Sequence, residues 1–464
     1  MSDDDDREEF MRLFREFLQG NGASDFSALA GAAGLPQDPS LVSQMMSQFQ
    51  AALSASGQSS AAVADERAVA VAAAKQVPIT DDERQNTAQA FQIAQLWLSE
   101  QTSFADSSIG AGVMNRQEWA HGSLPAWREI ADPISTAIGQ ALVDALSEQA
   151  PEEARGMLQG VTGMLQNVGA TLFSLQLGQI VGMLSQEVTS ATEIGIPLLP
   201  SSTAALLPQN VVEFARDLDV PLDQVNIYLA LRELAHIGLF KNARWLTLHI
   251  TTAIREYAQG VTIDTERMRD TVENLDLRDT SALEAAIRGG ALLSERSEAQ
   301  RDALARIETL IALIEGWVDA VVSDASTRLP KADALREALT RRRATGGPAE
   351  QAFGALIGLE LRPRRLREAA QLWSRIGDAL GHTQREELWR HPDTVPTSAD
   401  MSDPDALLAR LQRPAERDEL DEDLERLLSG GFDGSASDAA PASDAPETSP
   451  EDDGGDTPPA QPES

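Results

Sequence analysis

The chain has 464 residues, of which 42% are hydrophobic and only 5% aromatic; it contains no cysteine, and its formal net charge is −35. The acidic balance argues against nucleic acid and against an anionic membrane surface as partners, because phosphate groups select basic protein surfaces. The absence of cysteine excludes disulfides, thiolate metal ligands and a cysteine nucleophile. It is compatible with a reducing compartment, and the N-terminus lacks the basic and apolar regions of a signal peptide, so we expect a cytoplasmic protein.

Residues 1–20 are predicted to form an amphipathic helix. Its apolar stripe consists of Phe10, Leu13, Phe14, Phe17 and Leu18. The acidic residues at its start suit the positive end of a helix dipole. Such a stripe is typical of a helix that docks on the main body, and a partner-binding segment is the alternative. Residues 21–79 are predicted to form a linker and short helices.

Residues 80–410 are predicted to form a helical body. Thr80 and Glu83 have the spacing of a capping box that opens a helix through Trp97, and a second helix is expected to start near Pro125. The uncharged stretch from Gly156 to Ser185 is long enough to span a bilayer, but amide side chains and glycines interrupt it. We therefore expect buried helix there, not membrane insertion.

The middle of the chain is the only place where strands are expected. Residues 194–200 and 204–207 look extended, which allows at most one or two short strands. Helical patterns then continue to the end of the body. They cover residues 209–217, 221–239, 244–258, 264–275, 295–325, 331–343, 349–358 and 363–380.

The segment from Tyr228 to His236 carries the main chemical motif. A zinc peptidase helix reads His-Glu-x-x-His, in which the histidines bind zinc and the glutamate activates a water. Glu233 and His236 occupy the second and fifth positions, and Arg232 occupies the first. A guanidinium has no lone pair for a metal. His236 and one carboxylate would therefore give two protein ligands, whereas a catalytic zinc usually has three.

A second helix carries Glu315 and Asp319, one turn apart in a strongly apolar pattern. Buried carboxylates are unfavourable unless they are paired. Residue chemistry allows either a zinc site or an ion cluster in which Arg232 neutralises Glu315, Asp319 or Glu233, and we favour the ion cluster. Gly316 weakens the helix, which indicates that another backbone approaches closely there.

Several blocks of sequence accompany these two helices. They are Asn115–Trp119, Leu124–Trp127, Gly195–Leu198, Leu231–His236, Leu239–Phe240, Trp245–Leu246, Glu315–Asp319, Leu361–Arg365 and Trp389–Asp393. With these blocks the chain resembles a zincin-like family of zinc-dependent metallopeptidases or hydrolases that is common in actinobacteria. The resemblance covers residues 10–20 and 85–410. It implies a mostly α-helical fold with a zincin-like core.

The resemblance also implies roles for individual residues. Glu233 matches the catalytic base, His236 a zinc ligand, Glu315 the third ligand, and Asp319 a carboxylate that orients a ligating histidine. Arg232 departs from the family motif because it stands in place of the first zinc ligand.

His249, thirteen positions after His236, is the alternative that could replace the lost ligand. Two functions therefore stay open. One is a zinc-dependent hydrolase, in which zinc polarises a carbonyl and Glu233 deprotonates the attacking water. The other is a non-catalytic scaffold on a zincin fold that binds a peptide or protein, and Arg232 favours it.

Residues 411–464 are predicted to be an acidic tail. No basic residue follows Arg426, and from about Gly430 the chain consists mostly of small, polar and acidic residues. It cannot bury enough apolar surface to offset its ordering entropy, so we expect disorder from about residue 430.

We predict that a chain ending at Ser429 folds with the melting temperature of the full chain, because the deleted residues offer no apolar periodicity. Differential scanning calorimetry of both chains checks this. A fall of several degrees would contradict it.

Overall fold

The computed structural model describes residues 59–149, 170–171, 173–199, 203–260, 296–348, 351, 353–354 and 365–413. Its helices are α1 (Ser60–Ala72), α2 (Asp81–Ser99), α3 (Arg116–Gln149), α4 (Pro208–Ala215), α5 (Leu222–Asn242), α6 (Arg244–Gln259), α7 (Glu298–Ala325), α8 (Ala332–Ala344), α9 (Leu366–Leu380), α10 (His382–Glu387), α11 (Ser398–Ser402) and α12 (Pro404–Leu411). The strands are β1 (Gly110–Val113) and β2 (Thr203–Leu206). These elements confirm the prediction of a mostly helical fold with two short strands. The predicted helices at 1–20 and 264–275 and the predicted disordered tail lie outside the described residues.

Local capping sets several helix starts. The Thr80 hydroxyl accepts a hydrogen bond from the Glu83 backbone N–H, and the Glu83 carboxylate accepts one from the Thr80 N–H, which confirms the predicted capping box. The expected helix start near Pro125 is wrong, because α3 begins at Arg116. Asn115 and Glu118 form a reciprocal cap there, at 2.8 and 2.9 Å, and α3 continues through Pro125.

The two strands pair in parallel, with Gly110 opposite Thr203 and Val113 opposite Leu206. β2 overlaps the second predicted extended stretch, 204–207. The prediction of a strand at 194–200 is wrong in its described part, because residues 194–199 form turn, bends and irregular chain. β1 was not predicted, because Gly-Ala-Gly-Val lacks the alternation of a half-buried strand. β2 packs on α5, and β1 packs on α2. This small sheet therefore lies directly against the helix that carries the motif.

Helix α5 is the centre of the hydrophobic core. Every residue from Tyr228 to Phe240 is buried, and α2, α7 and β2 pack around the helix. A helix that is buried all round belongs to the interior of a protein. Its polar side chains must therefore find partners inside the protein.

Helix α1 and the segment at 173–184 also pack on the helical body. α1 lies within the residues assigned above to linker and short helices, and it packs on α3. In the described part of the uncharged stretch, Leu177, Val181 and Leu184 are buried. Across the described residues, no helix is long and apolar enough to cross a membrane.

Helices α7 and α9 approach each other closely at Gly316. A Cβ atom added at Gly316 would lie 2.6 Å from the Cβ and 2.7 Å from the carbonyl carbon of Ala369. Nearby, the Trp373 indole N–H donates a 2.9 Å hydrogen bond to the Leu313 carbonyl. The predicted close backbone approach at Gly316 is confirmed, and it holds α7 in a fixed position.

We predict that Gly316→Ala lowers the free energy of unfolding by about 1–3 kcal/mol, because the added methyl group must push α9 away. Gly354→Ala is the matched control, since a Cβ there meets nothing within 4 Å. It should be neutral or slightly stabilising, because alanine favours helix. Urea unfolding of both variants checks this, and equal effects would show that the approach imposes no constraint.

Candidate functional site

Glu315 is the centre of a buried ion cluster. Its side chain is only 3% exposed. The Arg232 guanidinium donates to Glu315 Oε2 at 2.7 Å, and His236 Nε2 lies 3.0 Å from Oε1. Arg343 of α8 also pairs with Oε2. We call Arg232, His236, Glu315 and Arg343 the Glu315 cluster. Because Arg232 and His236 lie one turn apart on α5, both reach the same carboxylate.

Both ring nitrogens of His236 face acceptors. Nε2 faces Glu315, and Nδ1 lies 2.9 Å from the carbonyl oxygen of Arg232, one turn earlier. A neutral imidazole carries one N–H, so it can donate only one of these bonds. Both form together only when His236 is an imidazolium. Neither nitrogen points to open space, and a metal ligand needs a free lone pair.

The electrostatics of the cluster favour an ionised Glu315. Burial by itself would raise the pKa of this carboxyl group. Arg343, His236 and Arg232 outweigh that effect and hold the pKa of Glu315 well below its usual range. The carboxylate is therefore ionised at neutral pH, and its charge is paired within the core.

Asp319 lies one turn after Glu315 on α7 but has a different partner. Arg336 of α8 binds it side-on, with Nε 3.1 Å from Oδ1 and 3.0 Å from Oδ2. Sequence reasoning missed Arg336 and Arg343. Their spacing of seven on a predicted helix places them on one face, which is the signal that could have found them.

Glu233 uses its carboxylate elsewhere. Oε2 accepts hydrogen bonds from the Thr192 backbone N–H at 3.0 Å and from the Thr192 hydroxyl at 2.6 Å, and Oε1 accepts one from the Ala205 N–H at 3.2 Å. The side chain is fully buried, and burial raises its pKa despite these hydrogen bonds. Glu233 thus ties the turn at Thr192 and strand β2 to helix α5.

The turn that follows Thr192 covers the Glu315 cluster. Gly195 has a φ of +75°, and a Cβ atom there would lie 2.5 Å from Glu315 Oε1. Only glycine meets both conditions without strain. The backbone therefore closes the cluster on the side of the carboxylate that faces His236.

His249 does not join this arrangement. It lies on α6 with an exposed side chain, and its ring meets Trp245 edge-on at a centroid distance of 5.1 Å. The hydrogen bonds and ion pairs of the described residues include none between His249 and Glu315. The structure thus brings Arg232, His236 and Glu315 together and leaves His249 at the surface.

The sequence of the described body matches a known family. A family model described as zincin-like metallopeptidase matches residues 60–408, from the start of α1 into α12. The chain belongs to the zincin-like metallopeptidase family. This confirms the resemblance drawn from the sequence blocks.

One solved structure has the fold of this zincin-like protein. It comes from Chloroflexus aurantiacus and is described as a "putative hydrolase with a novel fold". The TM-score is 0.52 at 16% identity, over 76% of this chain and 98% of the other. At this identity the likeness concerns the fold alone. No curated protein matches the sequence.

The family name implies zinc, so the zincin-like motif must be tested for a fit. His236 and Glu315 are bonded to each other, and the Arg232 guanidinium lies on Glu315 where a cation would bind. Glu233 is committed to Thr192 and Ala205. Among the described residues, no group of three or more histidine or acidic side chains could hold a metal. The residues present do not fit a zinc ion.

A groove of about 320 Å³ lies beside the Gly195 turn. Ile196, Pro197 and Leu198 form one wall, so the segment that covers Glu315 continues directly into the groove. Leu248 of α6 lines it and is 65% exposed. Arg244 also contributes to its lining. The groove is therefore mainly apolar with a basic part.

We predict opposite pH effects for Glu315→Gln and Glu233→Gln. A lowered pKa means that ionised Glu315 stabilises the fold above its ordinary value of 4.5, and that this contribution is lost as the pH falls below it. The raised pKa of Glu233 means that its protonated form favours the fold, and that this contribution is lost as the pH rises through the raised value.

The deficit of the Glu315→Gln variant against the wild type, about 3–5 kcal/mol at neutral pH, should therefore shrink below pH 4.5. The deficit of the Glu233→Gln variant should grow as the pH is lowered. Chemical unfolding from pH 7 to pH 3.5 measures both, and deficits that change in the same direction would refute the assignment.

Proposed function

We propose that this zincin-like protein does not hydrolyse peptides and acts as a scaffold that binds a peptide segment of a partner. The observation that carries the proposal is the Arg232 guanidinium, 2.7 Å from Glu315 at the first motif position. It supplies the positive charge that the carboxylate needs. The Glu315 carboxylate is thereby paired without a metal.

A guanidinium cannot take over the chemistry of zinc. It stays protonated, it has no open coordination position, and it does not convert a bound water into hydroxide at neutral pH. The motif glutamate is also engaged elsewhere, since the Glu233 carboxylate accepts three hydrogen bonds from Thr192 and Ala205. The motif region of the described chain therefore lacks both a group that activates the water and a free carboxylate that deprotonates it.

The space beside the Glu315 cluster is also too small for a peptide substrate. The cavity that touches Arg232, Glu315, Asp319 and Arg343 has a volume of about 10 Å³. That is the lower limit for one water molecule. A scissile peptide group needs far more room, so a substrate carbonyl could not reach Glu315 without rearrangement of α8.

The groove supports the binding half of the proposal. Ligand sites are concave, mostly apolar and marked by a few polar groups, and the groove beside Ile196 and Leu248 has this character. Arg244 makes no ion pair within the described part of the chain, and Arg255 pairs with Glu129 at the same groove. A segment with apolar side chains and an acidic flank is the ligand that these residues would recognise.

We predict that Arg232→His creates zinc binding with a stoichiometry of one. The change completes the motif, and Glu315 already lies within 3.0 Å of His236, so three ligands become available. Isothermal titration calorimetry measures the binding. Cleavage of labelled casein should stay absent even with zinc bound, because Glu233 remains tied to Thr192 and Ala205.

The matched control is the double variant Arg232→His/His236→Ala, which lacks one of the three ligands and should lose the zinc affinity. The wild type, purified without chelator, should carry no stoichiometric zinc by elemental analysis. Stoichiometric zinc in the wild type that a His236→Ala change removes, or cleavage of casein by the wild type, would overturn the proposal.

A further inference from the structure

The groove combines one strongly exposed apolar side chain with an apolar wall whose large side chains are mostly buried. Leu248, at 65%, is the most exposed of the large hydrophobic side chains among the described residues. It faces a groove whose other apolar residues include Ala126, Ile130 and Ile196. The volume of about 320 Å³ accommodates two or three large side chains.

The groove is also a basic spot on a very acidic protein. Arg244 and Arg255 line it, and only Arg255 has an ionic partner, Glu129, among the described residues. The whole chain carries a net charge of −35, and the two arginines give the groove a local positive charge that an acidic segment can pair with. Charge and apolarity together select an amphipathic, acidic segment.

This chain contains such a segment before its described body. Residues 1–9 carry six acidic side chains and one arginine, and they precede an apolar stripe at helical spacing. The stripe consists of Phe10, Leu13, Phe14, Phe17 and Leu18. Aromatic and leucine side chains on one face are the anchors of a helix that binds in a groove.

We propose that residues 8–18 bind in the groove of the isolated chain and compete there with the partner peptide. The proposal rests on the proposed function, in that it names the internal competitor of the same groove. The stripe supplies the large apolar side chains, and the acidic residues before it pair with Arg244 and Arg255. The segment thus acts as an autoinhibitory element.

The connection is long enough for this contact. Residues 19–58 separate the stripe from the start of the described body, and about 40 residues span up to roughly 130 Å when extended. A tether of this length gives the segment a local concentration on the order of 1 mM at the groove. Even modest intrinsic affinity then keeps the groove occupied.

Because the chain contains no cysteine, introduced cysteines can form disulfides only with each other, which allows a direct test. Phe10→Cys, Phe14→Cys and Phe17→Cys are each combined with Leu248→Cys in the full chain and oxidised mildly. At least one pair should give an intramolecular disulfide, identified by peptide mass spectrometry. The control replaces Leu248→Cys by Leu96→Cys, which is exposed to a similar extent, 62%, and does not line the groove.

A second test uses a fluorescein-labelled peptide with the sequence of residues 1–20. Its affinity, measured by fluorescence anisotropy, should be at least tenfold higher for the full chain carrying Phe14→Asp/Phe17→Asp than for the wild type, because the tethered competitor is released. Adding Leu248→Asp should abolish this binding. Adding Leu96→Asp should leave it unchanged.

Equal linking at Leu248 and Leu96, links only between two molecules, or equal peptide affinity of the wild type and the Phe14→Asp/Phe17→Asp variant would each overturn the proposal. The zinc experiment with Arg232→His does not involve residues 1–20. A failure here is therefore separable from a failure of the proposed function.

Discussion

The fold depends on one buried anion. Glu315 lies in the middle of an apolar helix, where an unpaired carboxylate would cost several kcal/mol of desolvation. Three cationic or cation-forming side chains meet it, from α5 and α8, and the Gly195 backbone closes over it. The positions of these elements relative to α7 are therefore set by the need to satisfy a single side chain.

The carboxylates of Glu315 and Glu233 have different environments and different structural roles. Glu315 is surrounded by cations, and its pKa is lowered, whereas Glu233 is surrounded by backbone N–H groups and a hydroxyl, and its pKa is raised. One short turn links them, because Thr192 binds Glu233 and Gly195 covers Glu315. A hydrolytic zinc centre needs both carboxylates to face the same open space. Here the turn lies between them and belongs to the core.

Sequence patterns could predict the parts of this site that depend on spacing within one helix. The pairing of Arg232 with Glu315 is one of the three alternatives that residue chemistry allows, and Gly316 indicates the close approach of another backbone, which is α9. The pairing of Asp319 with Arg336 could not be deduced, because it depends on how α8 is rotated against α7.

The partners of Glu233 include backbone N–H groups, which no side-chain pattern reveals. Strand β1 was missed because two of its four residues are glycine.

Replacing a metal by a guanidinium changes what the site can respond to. A zinc ion can be gained or lost, and it offers a coordination position that a ligand can fill. Arg232 is covalently part of the chain and remains charged at all physiological pH values. In this cluster its guanidinium donates a hydrogen bond to Glu315. The charge and the contacts at the centre of this zincin-like fold are therefore fixed. A ligand would have to bind at the surface. The groove beside Ile196 lies at the surface, and its wall continues directly from the turn that seals the cluster. A ligand bound there would contact a wall whose position the Gly195 turn and Glu315 set together.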